Sequence, residues 1–252
     1  MEITSINNDL VKETVKLQQK KYRIESGKFL LEGNKGVTEA FNSGKVKIDY
    51  VFVLSEKSDK YSYLDCEIIK TNNAVLKKIS TTDSAPEIVG VAYQPKNDFK
   101  LLEKSKKVVL LENISDAGNL GTIIRTASAF NIESIVLYGD TVDVYNPKCV
   151  RSSVGNLWKT NIITIKSIDD LKKYFSDFER VATLPKTQNS IWLNDWTPSE
   201  KVLVMFGSEA DGLSENLINY ATNNLTIEMN EKVESLNLSI SVGLIMYKLG
   251  IK

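Results

Sequence analysis

Along the first hundred residues, short apolar runs alternate with segments whose apolar residues recur at helical spacing. The run 48–54, with the sequence IDYVFVL, is typical of a buried strand, whereas 33–43 has the period of an amphipathic helix. Lysines interspersed with apolar residues predict a basic helix over 10–23. This mixture predicts a small α/β domain. The alternation continues at 29–32, 66–69, 74–79 and 88–93.

A polar segment with five lysines and one proline, from Gln94 to Lys107, interrupts this pattern. Such a composition is typical of a linker. We therefore predict a first domain at 1–94, a linker at 95–106 and a second domain at 107–252. In the second domain, short apolar strands separated by helices predict a mostly parallel sheet covered on both faces. The predicted strands are 108–111, 134–138, 202–206 and 225–229, and the predicted helices are 119–131, 168–178 and 238–249.

Composition excludes several classes of chemistry. Among 252 residues there is no histidine, which excludes Ser-His-Asp and Cys-His machinery. Cys66 and Cys149 lie too far apart in sequence for a CxxC pair, so we expect no metal site and a reducing, cytoplasmic location. No apolar run is long enough to span a membrane. Lys+Arg and Asp+Glu both number 32, so an RNA surface would have to come from local clustering.

The first segment with chemical potential is 116–130, DAGNLGTIIRTASAF, directly after a predicted strand. Asn119 and Gly121 lie at the strand-to-helix turn, where free backbone N–H groups favour an anion. Arg125 falls outside the apolar stripe of the helix. A structural alternative makes Asn119 a helix cap and Arg125 a surface ion-pair partner.

The second segment is 205–214, MFGSEADGLS, which follows another apolar strand. Gly207 and Gly212 bracket Glu209, and glycine lets backbone approach a ligand closely. Ligands of open α/β sheets bind beyond the carboxyl ends of strands, where this loop falls. A plain turn with an exposed glutamate is the alternative. The chain contains neither GxGxxG after the first strand of a domain nor GxxxxGK[ST], so a nucleotide-like ligand would need another device.

The third segment, 234–250, begins with ESLNLS and continues as an apolar helix. Hydroxyl and amide side chains cluster at its start, including Ser235 and Asn237. They could bind a ligand or satisfy the helix terminus.

Together the three segments resemble the SpoU (TrmH-like) branch of the SPOUT methyltransferases. The matching pattern is Asn119-x-Gly121-x₃-Arg125, then Gly207-Ser-Glu209-x-x-Gly212-Leu-Ser214, then Ser235-Leu-Asn237-x-Ser239. The N-terminal region is similar to the ribosomal-protein-L30e-like RNA-binding domain that precedes many SpoU catalytic domains.

The resemblance implies an α/β SPOUT domain with a deep trefoil knot, a homodimer formed through that domain, and methylation of a ribose 2′-hydroxyl in structured RNA, with 23S-type rRNA as the expected substrate. It implies S-adenosylmethionine held by backbone at Gly207, Ile227 and Leu236, with Thr183 and Met229 nearby. The implied catalytic cluster is Asn119, Arg125, Glu209, Ser235 and Asn237.

RNA capture is expected from the basic N-terminal segment, whose candidate contacts are Lys12, Lys16, Lys20 and Arg23, with Arg151 as a further contact from the catalytic domain. The hydroxyl proton goes either to Arg125, which the family proposal makes the base, or to water or Glu209 while a charged Arg125 clamps a phosphate. Two alternatives to the rRNA enzyme stay open. One is a non-catalytic RNA-binding or ribosome-associated scaffold, and the other is a SPOUT methyltransferase acting on tRNA.

Overall fold

The computed structural model describes residues 1–187, 189–230 and 232–250. Two compact units divide the chain. The first contains Met1–Lys96 together with Asp143–Lys159, and the second contains Asn97–Val142 together with the described residues from Thr160 onward. Segment Asp143–Lys159, which the sequence placed inside the second domain, therefore packs with the first unit.

The first unit contains a four-stranded sheet in the order β1-β4-β2-β3. Strand β4 runs antiparallel to both β1 and β2, whereas β2 and β3 are parallel. Apolar residues from the strands and from two of the helices pack into one core, which includes Leu30, Phe52, Leu76 and Val91. The strands are β1 Lys28–Glu32, β2 Ile48–Leu54, β3 Glu67–Thr71 and β4 Ile88–Tyr93, and the helices are α1 Asp9–Lys16, α2 Lys20–Ser26, α3 Gly33–Asn42 and α4 Asn73–Ile79, with a 3₁₀ helix at Ser55–Tyr61.

The basic helix expected over 10–23 is two helices, α1 and α2, with a break between them. Buried Arg23 reaches back into this break, where its Nη1 donates to the carbonyl oxygens of Leu17 and Gln18, both at 2.9 Å. These bonds satisfy carbonyls that a continuous helix would have paired internally. Lys20 therefore lies on a different helix from Lys12 and Lys16, and the prediction of one continuous helix is wrong.

The inserted segment is held in the first unit by charge and by aromatic packing. Asp143 forms an ion pair with Arg23, with 2.7 Å between Oδ2 and Nε. Phe29 packs against Tyr145 and Trp158, with ring centroids 4.9 and 5.6 Å apart. Burial raises the pKa of the Tyr145 phenol to about 12, and the nearby Asp143 adds to the shift. The segment contains the short helix α7, Pro147–Ser152.

The second unit is built on a seven-stranded sheet, all of whose neighbouring strands are parallel, in the order β7-β6-β5-β10-β8-β11-β9. Strand β10 lies between β5 and β8, and β11 between β8 and β9, so later strands enter between earlier ones. The trefoil knot remains a prediction. The strands are β5 Lys107–Glu112, β6 Ser134–Tyr138, β7 Asn161–Ile165, β8 Glu179–Thr183, β9 Ser190–Trp192, β10 Val202–Phe206 and β11 Asn223–Thr226, and the helices are α5 Phe99–Lys104, α6 Ala117–Ala129, α8 Ile168–Phe175, α9 Glu215–Tyr220 and α10 Leu238–Gly250.

Both faces of this sheet are covered, as the unbroken apolar strands predict. Val108 and Leu110 of β5 join a core with Phe175 and Leu217, whereas the alternate residues of the strand are buried against its other face. Helix α5 occupies part of the predicted linker, with Leu102 buried in the same core. None of the helices in the described ranges is long and apolar enough to cross a membrane.

Candidate active site

The sheet of the second unit brings the ends of several strands to one edge. Parallel strands present their carboxyl ends together, and ligands of open α/β sheets bind there. Strands β5, β10, β8 and β11 are consecutive in the sheet order. Strand β5 ends shortly before the first motif, and β10 ends directly before Gly207. Strand β8 ends at Thr183, and β11 ends directly before Ile227. Segments far apart in sequence thus meet at one edge.

The first motif begins helix α6 with a cap that frees Asn119. The side chain of Asp116 accepts a hydrogen bond from the backbone N–H of Asn119 at 2.7 Å. An aspartate in this position satisfies the helix terminus. The structural alternative, in which Asn119 itself is the cap, is therefore wrong. The amide side chain of Asn119 is left to bond elsewhere.

The loop after β10 is closed on itself so tightly that only glycine fits at position 207. A Cβ at Gly207 would lie 1.9 Å from the carbonyl carbon of Gly212 and 2.1 Å from the nitrogen of Leu213. The backbones of Ser208 and Gly212 exchange two hydrogen bonds of 3.2 and 3.1 Å, and Gly212 has φ +70°. This closure places Glu209 at the tip of the loop, where it is exposed.

A buried carboxylate supports the same loop from beneath. Glu112, the last residue of β5, is 3% exposed, and its Oε2 accepts a 2.7 Å hydrogen bond from the backbone N–H of Ser214. Tyr138 stands opposite Glu112 in the sheet. Burial raises the pKa of Tyr138, and the negative charge of Glu112 raises it further. Glu112 therefore ties the first motif's strand to the end of the second motif.

Three of the expected catalytic residues form a hydrogen-bonded chain. The side-chain nitrogen of Asn119 donates to Oε1 of Glu209 at 2.7 Å. The side-chain nitrogen of Asn237 donates in turn to Oδ1 of Asn119 at 3.2 Å. Asn237 also begins helix α10, because its backbone carbonyl accepts from the N–H groups of Ile240 and Ser241. The chain joins one residue from each of the three motifs.

The other two expected catalytic residues, Arg125 and Ser235, lie outside this chain. Both are exposed, and within the described residues neither side chain has a hydrogen bond or an ion pair. Arg125 lies two turns into α6, on the solvent side of a helix whose buried residues include Ile123 and Ile124. Because this guanidinium is exposed and forms no ion pair with a described residue, it can bind a phosphate or carboxylate without breaking an existing contact.

Of the residues expected to hold the cofactor, Thr183, Gly207 and Ile227 lie at these strand ends, and Leu236 lies just before helix α10. Backbone N–H groups of Gly207, Ile227 and Leu236 make no hydrogen bond to any other described residue. Thr183 uses its hydroxyl to bond the carbonyl of Met205 at 2.8 Å, which joins β8 to β10, and Met229 is 40% exposed beyond β11. These three backbone N–H groups are available to donate to the ring nitrogens of an adenine. In the part of the chain that is described, no group of three His, Cys, Asp or Glu side chains could hold a metal ion.

Of the lysines expected to contact RNA, Lys12 and Lys20 are exposed and Lys16 is partly exposed. The side chains of Lys12 and Lys16 are 56% and 43% exposed and pair weakly with Asp9 and Glu13 on the same helix. Lys16 and Lys21 both lie over the ring of Tyr22, 5.7 and 5.6 Å from its centroid. Lys16 and Lys21 thus place two positive charges beside an aromatic ring.

Two of the arginines expected to contact RNA have structural partners instead. Arg23 is 1% exposed and holds Asp143, Leu17 and Gln18, so its assignment as an RNA contact is wrong. Arg151 belongs to the first unit rather than to the catalytic unit, and its Nη1 bonds the buried carboxylate of Glu32 and the hydroxyl of Thr81. Its side chain is 31% exposed, and contact with RNA remains a prediction for it.

Three residues of the site were not singled out from the sequence. Glu112 is a carboxylate at the end of an apolar strand, a placement that could have indicated a buried functional group. Asp116 has the position of a helix cap, three residues before Asn119. Ser239, whose hydroxyl and backbone N–H both donate to Oδ1 of Asn237, was quoted in the motif without a role.

Comparison with known proteins agrees with this geometry. Residues 106–247 match the SpoU rRNA Methylase family, and residues 8–90 match the MRM3-like substrate binding domain. The chain is 32% identical to an uncharacterised tRNA/rRNA methyltransferase of Synechocystis over 98% of its length and 92% of the relative's. It is 28% identical to a 23S rRNA (guanosine(2553)-2′-O)-methyltransferase of Bacillus subtilis, over 98% of each chain. The L30e-like character of the first domain remains a prediction.

Solved structures are similar over nearly the whole chain. The AdoMet-bound rRNA methyltransferase from Sinorhizobium meliloti superposes with a TM-score of 0.87 at 28% identity, covering 98% of this chain and 96% of that one. An RNA 2′-O ribose methyltransferase superposes with a TM-score of 0.81 at 25% identity, covering 98% and 97%. With more than half of its length matched by one family and the three motifs assembled at one sheet edge, this chain belongs to the SpoU rRNA methylase family.

Proposed function

We propose that the protein transfers the methyl group of S-adenosylmethionine to a ribose 2′-hydroxyl of ribosomal RNA. The observation that carries this proposal is the hydrogen-bonded chain Asn237–Asn119–Glu209 beside the strand ends that offer free backbone N–H groups. A non-catalytic scaffold needs no such chain. The similar proteins named above include an AdoMet-bound rRNA methyltransferase and 2′-O-methyltransferases, which supports both the cofactor and the ribose target.

The cofactor, when bound, supplies a methyl group on a positively charged sulfur. Backbone N–H groups at Gly207, Ile227 and Leu236 would hold its adenosine end, and the tight loop that Gly207 permits keeps that surface free of side chain. Alignment of the ribose oxygen with the methyl group supplies much of the rate in such a displacement. The cofactor residues thus act by positioning.

Arg125 has the properties of a substrate clamp. Guanidinium stays protonated in proteins, and its planar fork matches phosphate oxygens in pairs. Because Arg125 is exposed and has no partner among the described residues, it can bind an RNA phosphate beside the reacting ribose. Its charge would also draw the polyanion to this edge.

RNA capture by the first unit is supported by its match to a substrate-binding domain and by solvent-accessible lysines, Lys12 and Lys16 on α1 and Lys20 on α2. Phosphate contacts from lysine provide affinity without reading sequence. Tyr22, beside Lys16 and Lys21, adds a ring on which an unpaired base can stack.

Self-association is supported by one apolar face of α10. Ile240, Leu244 and Tyr247 are 54%, 41% and 55% exposed and follow helical spacing, so they lie on one side of the helix. Burying them against a second copy would remove this apolar surface from water. Sedimentation should give a dimer for the wild type and a monomer for Leu244→Glu. Ile6→Glu, an exposed isoleucine of the first unit, is the matched control that should remain dimeric.

The deciding experiment is methyl transfer from labelled S-adenosylmethionine to purified rRNA and tRNA, followed by nucleoside mass spectrometry. A 2′-O-methylated nucleoside from rRNA is the expected product. Methylation of tRNA alone would replace the substrate assignment, and a base-methylated product would replace the ribose assignment. Failure to bind S-adenosylmethionine with or without RNA would favour the scaffold.

A further inference from the structure

The hydrogen-bonded chain at the active-site edge extends one residue beyond Asn237. Oδ1 of Asn237 accepts from the backbone N–H of Ser239 at 2.9 Å and from its hydroxyl at 2.6 Å. The chain therefore runs from Ser239 through Asn237 and Asn119 to Glu209. It begins in the first turn of α10 and ends at the exposed tip of the second-motif loop.

The direction of this chain is fixed at its helical end. A backbone N–H can only donate, so the amide of Asn237 must turn its oxygen to Ser239 and its nitrogen to Asn119. Asn119 must then accept on its oxygen, which leaves its nitrogen to face Glu209. If either amide were reversed, a donor would face a donor on one side of it and an acceptor would face an acceptor on the other. Glu209 is thus required to be an acceptor at Oε1.

The other oxygen of Glu209, Oε2, has no hydrogen bond to any described residue. A proton arriving on Oε2 leaves Oε1 free to keep accepting from Asn119, so the chain survives the gain of a proton without rearrangement. Arg125, by contrast, has no lone pair to offer while its guanidinium is charged. The carboxylate of Glu209 can therefore accept the hydroxyl proton, whereas a charged Arg125 cannot.

We propose that Oε2 of Glu209 accepts the proton of the ribose 2′-hydroxyl during methyl transfer, and that Ser239 acts as a positioning residue by orienting the chain that holds Glu209. This inference rests on the proposed function. The ribose oxygen forms a bond to the methyl carbon as the carbon–sulfur bond breaks, the sulfonium becomes a neutral thioether, and the hydroxyl proton passes to the carboxylate. Atoms and charge balance without a further reactant.

The proton-acceptor role is tested with two variants of Glu209 and one control. Glu209→Gln keeps an oxygen for Asn119 and loses the basic carboxylate, and Glu209→Ala opens space for a small carboxylate from solution. We expect single-turnover transfer to fall about 10²-fold or more in both. Sodium formate, but not sodium chloride at equal ionic strength, should partly restore Glu209→Ala. Glu215→Gln, an exposed glutamate of the same unit, should match the wild type.

The positioning role is tested by comparing Ser239→Ala with Ser239→Thr. Alanine keeps the backbone donor to Asn237 and loses the hydroxyl bond, whereas threonine keeps both. We expect kcat to fall about tenfold in Ser239→Ala, because a slightly displaced reacting group lowers the rate steeply, with recovery in Ser239→Thr and an unchanged KM for S-adenosylmethionine. Ser241→Ala, on the same helix turn and without a side-chain bond among the described residues, is the control.

Each outcome decides between the roles. Near-normal transfer by Glu209→Gln, or a loss in Glu209→Ala that formate does not relieve, would overturn the acceptor role. A kcat for Ser239→Ala within about twofold of wild type, or an equal loss in Ser239→Thr, would overturn the positioning role. A wild-type protein that methylates no RNA would refute the proposed function itself, which is a separate result.

Discussion

The side-chain nitrogen of Asn119 lies 2.7 Å from Oε1 of Glu209, although 90 residues separate them in sequence. An amide donor faces a carboxylate, so each group satisfies the other at the edge of the sheet. The pairing joins the start of α6 to the loop after β10. Exchanging the amide of Asn119 with the carboxylate of Glu209 separates the effect of this hydrogen bond on stability from its effect on methyl transfer.

We expect Asn119→Asp to lower stability by about 1 kcal/mol and to reduce transfer strongly, because two carboxylates would face each other at hydrogen-bonding distance. Adding Glu209→Gln lets the new amide donate to the new carboxylate at position 119, so denaturant unfolding should show stability recovering. Transfer should not recover, because the exchanged pair lacks a carboxylate at position 209. Full activity in the double variant would mean that Glu209 only tethers Asn119.

Arg125→Ala should leave folding and S-adenosylmethionine binding unchanged, because the side chain is exposed and has no partner among the described residues. Transfer should fall by about 10²-fold or more, as expected when a charge that positions substrate is removed. Calorimetric titration with the cofactor and single-turnover assays measure the two effects. Lys173→Ala, another exposed cation of the same unit, should behave as wild type. Normal turnover by Arg125→Ala would contradict the assignment.

Gly207→Ala should damage the second-motif loop, because the new Cβ would lie 1.9 Å from the carbonyl carbon of Gly212. The loop must open to relieve this overlap, so we expect weaker cofactor binding and a loss of about 1–3 kcal/mol in stability. Gly36→Ala is the matched control. It lies within helix α3 with no atom within 4 Å of the added Cβ, so it should stabilise the protein by about 0.5–1 kcal/mol. Equal affinity for S-adenosylmethionine in Gly207→Ala and Gly36→Ala would contradict the inference that cofactor binding requires the tight loop at Gly207.

Neutralising Lys12, Lys16 and Lys20 to glutamine should weaken RNA binding and flatten its dependence on salt, because fewer counterions are released on binding. Each lost phosphate contact should lower the magnitude of the slope of log K against log salt by roughly 0.7–0.9. The control triple replaces Lys100, Lys104 and Lys172, exposed lysines of the second unit. An unchanged slope in the first triple would show that RNA binds elsewhere.

The free energy of unfolding should fall in acid, because Glu179 loses its charge there. Burial acts to raise the pKa of its carboxyl, but hydrogen bonds from the Ser199 N–H, Trp196 Nε1 and Asn223 Nδ2, at 2.8, 3.0 and 2.9 Å, outweigh it and lower the pKa. Because the pKa is lower in the folded state than in the unfolded chain, the stabilisation is complete above the unfolded value of about 4.3 and is lost as pH falls through the folded value.

Unfolding of Glu179→Gln should therefore show a shallower loss of stability below pH ~4.3. At neutral pH this variant should be less stable than wild type by about 1–2 kcal/mol, because charged acceptors make the stronger hydrogen bonds. Glu103→Gln, at an exposed position of α5, should follow the wild-type curve. Parallel curves for wild type and Glu179→Gln would contradict the assignment of this acid sensitivity to Glu179.

Four strands and three helices of the second unit were predicted from the sequence, because apolar spacing indicates which residues are buried. The strand predicted at 225–229 lies at Asn223–Thr226. The strands at 134–138 and 202–206 have the predicted bounds, and α6 and α10 begin within two residues of the predicted starts. Strands β7, β8 and β9 were not predicted, because their three to five residues mix polar and apolar side chains. Their burial depends on neighbours in the sheet that are distant in sequence.

The sequence by itself determined the family, the α/β class and the identity of the motif residues, because all of these are written in local residue order. Only the tertiary structure decided that Asp116 rather than Asn119 caps α6, that Arg23 is buried against Asp143, and that Ser239 orients the chain ending at Glu209. Those outcomes depend on which donors and acceptors packing brings within about 3 Å of each other. Periodicity along one segment carries no information about the atoms that a distant segment will present to it.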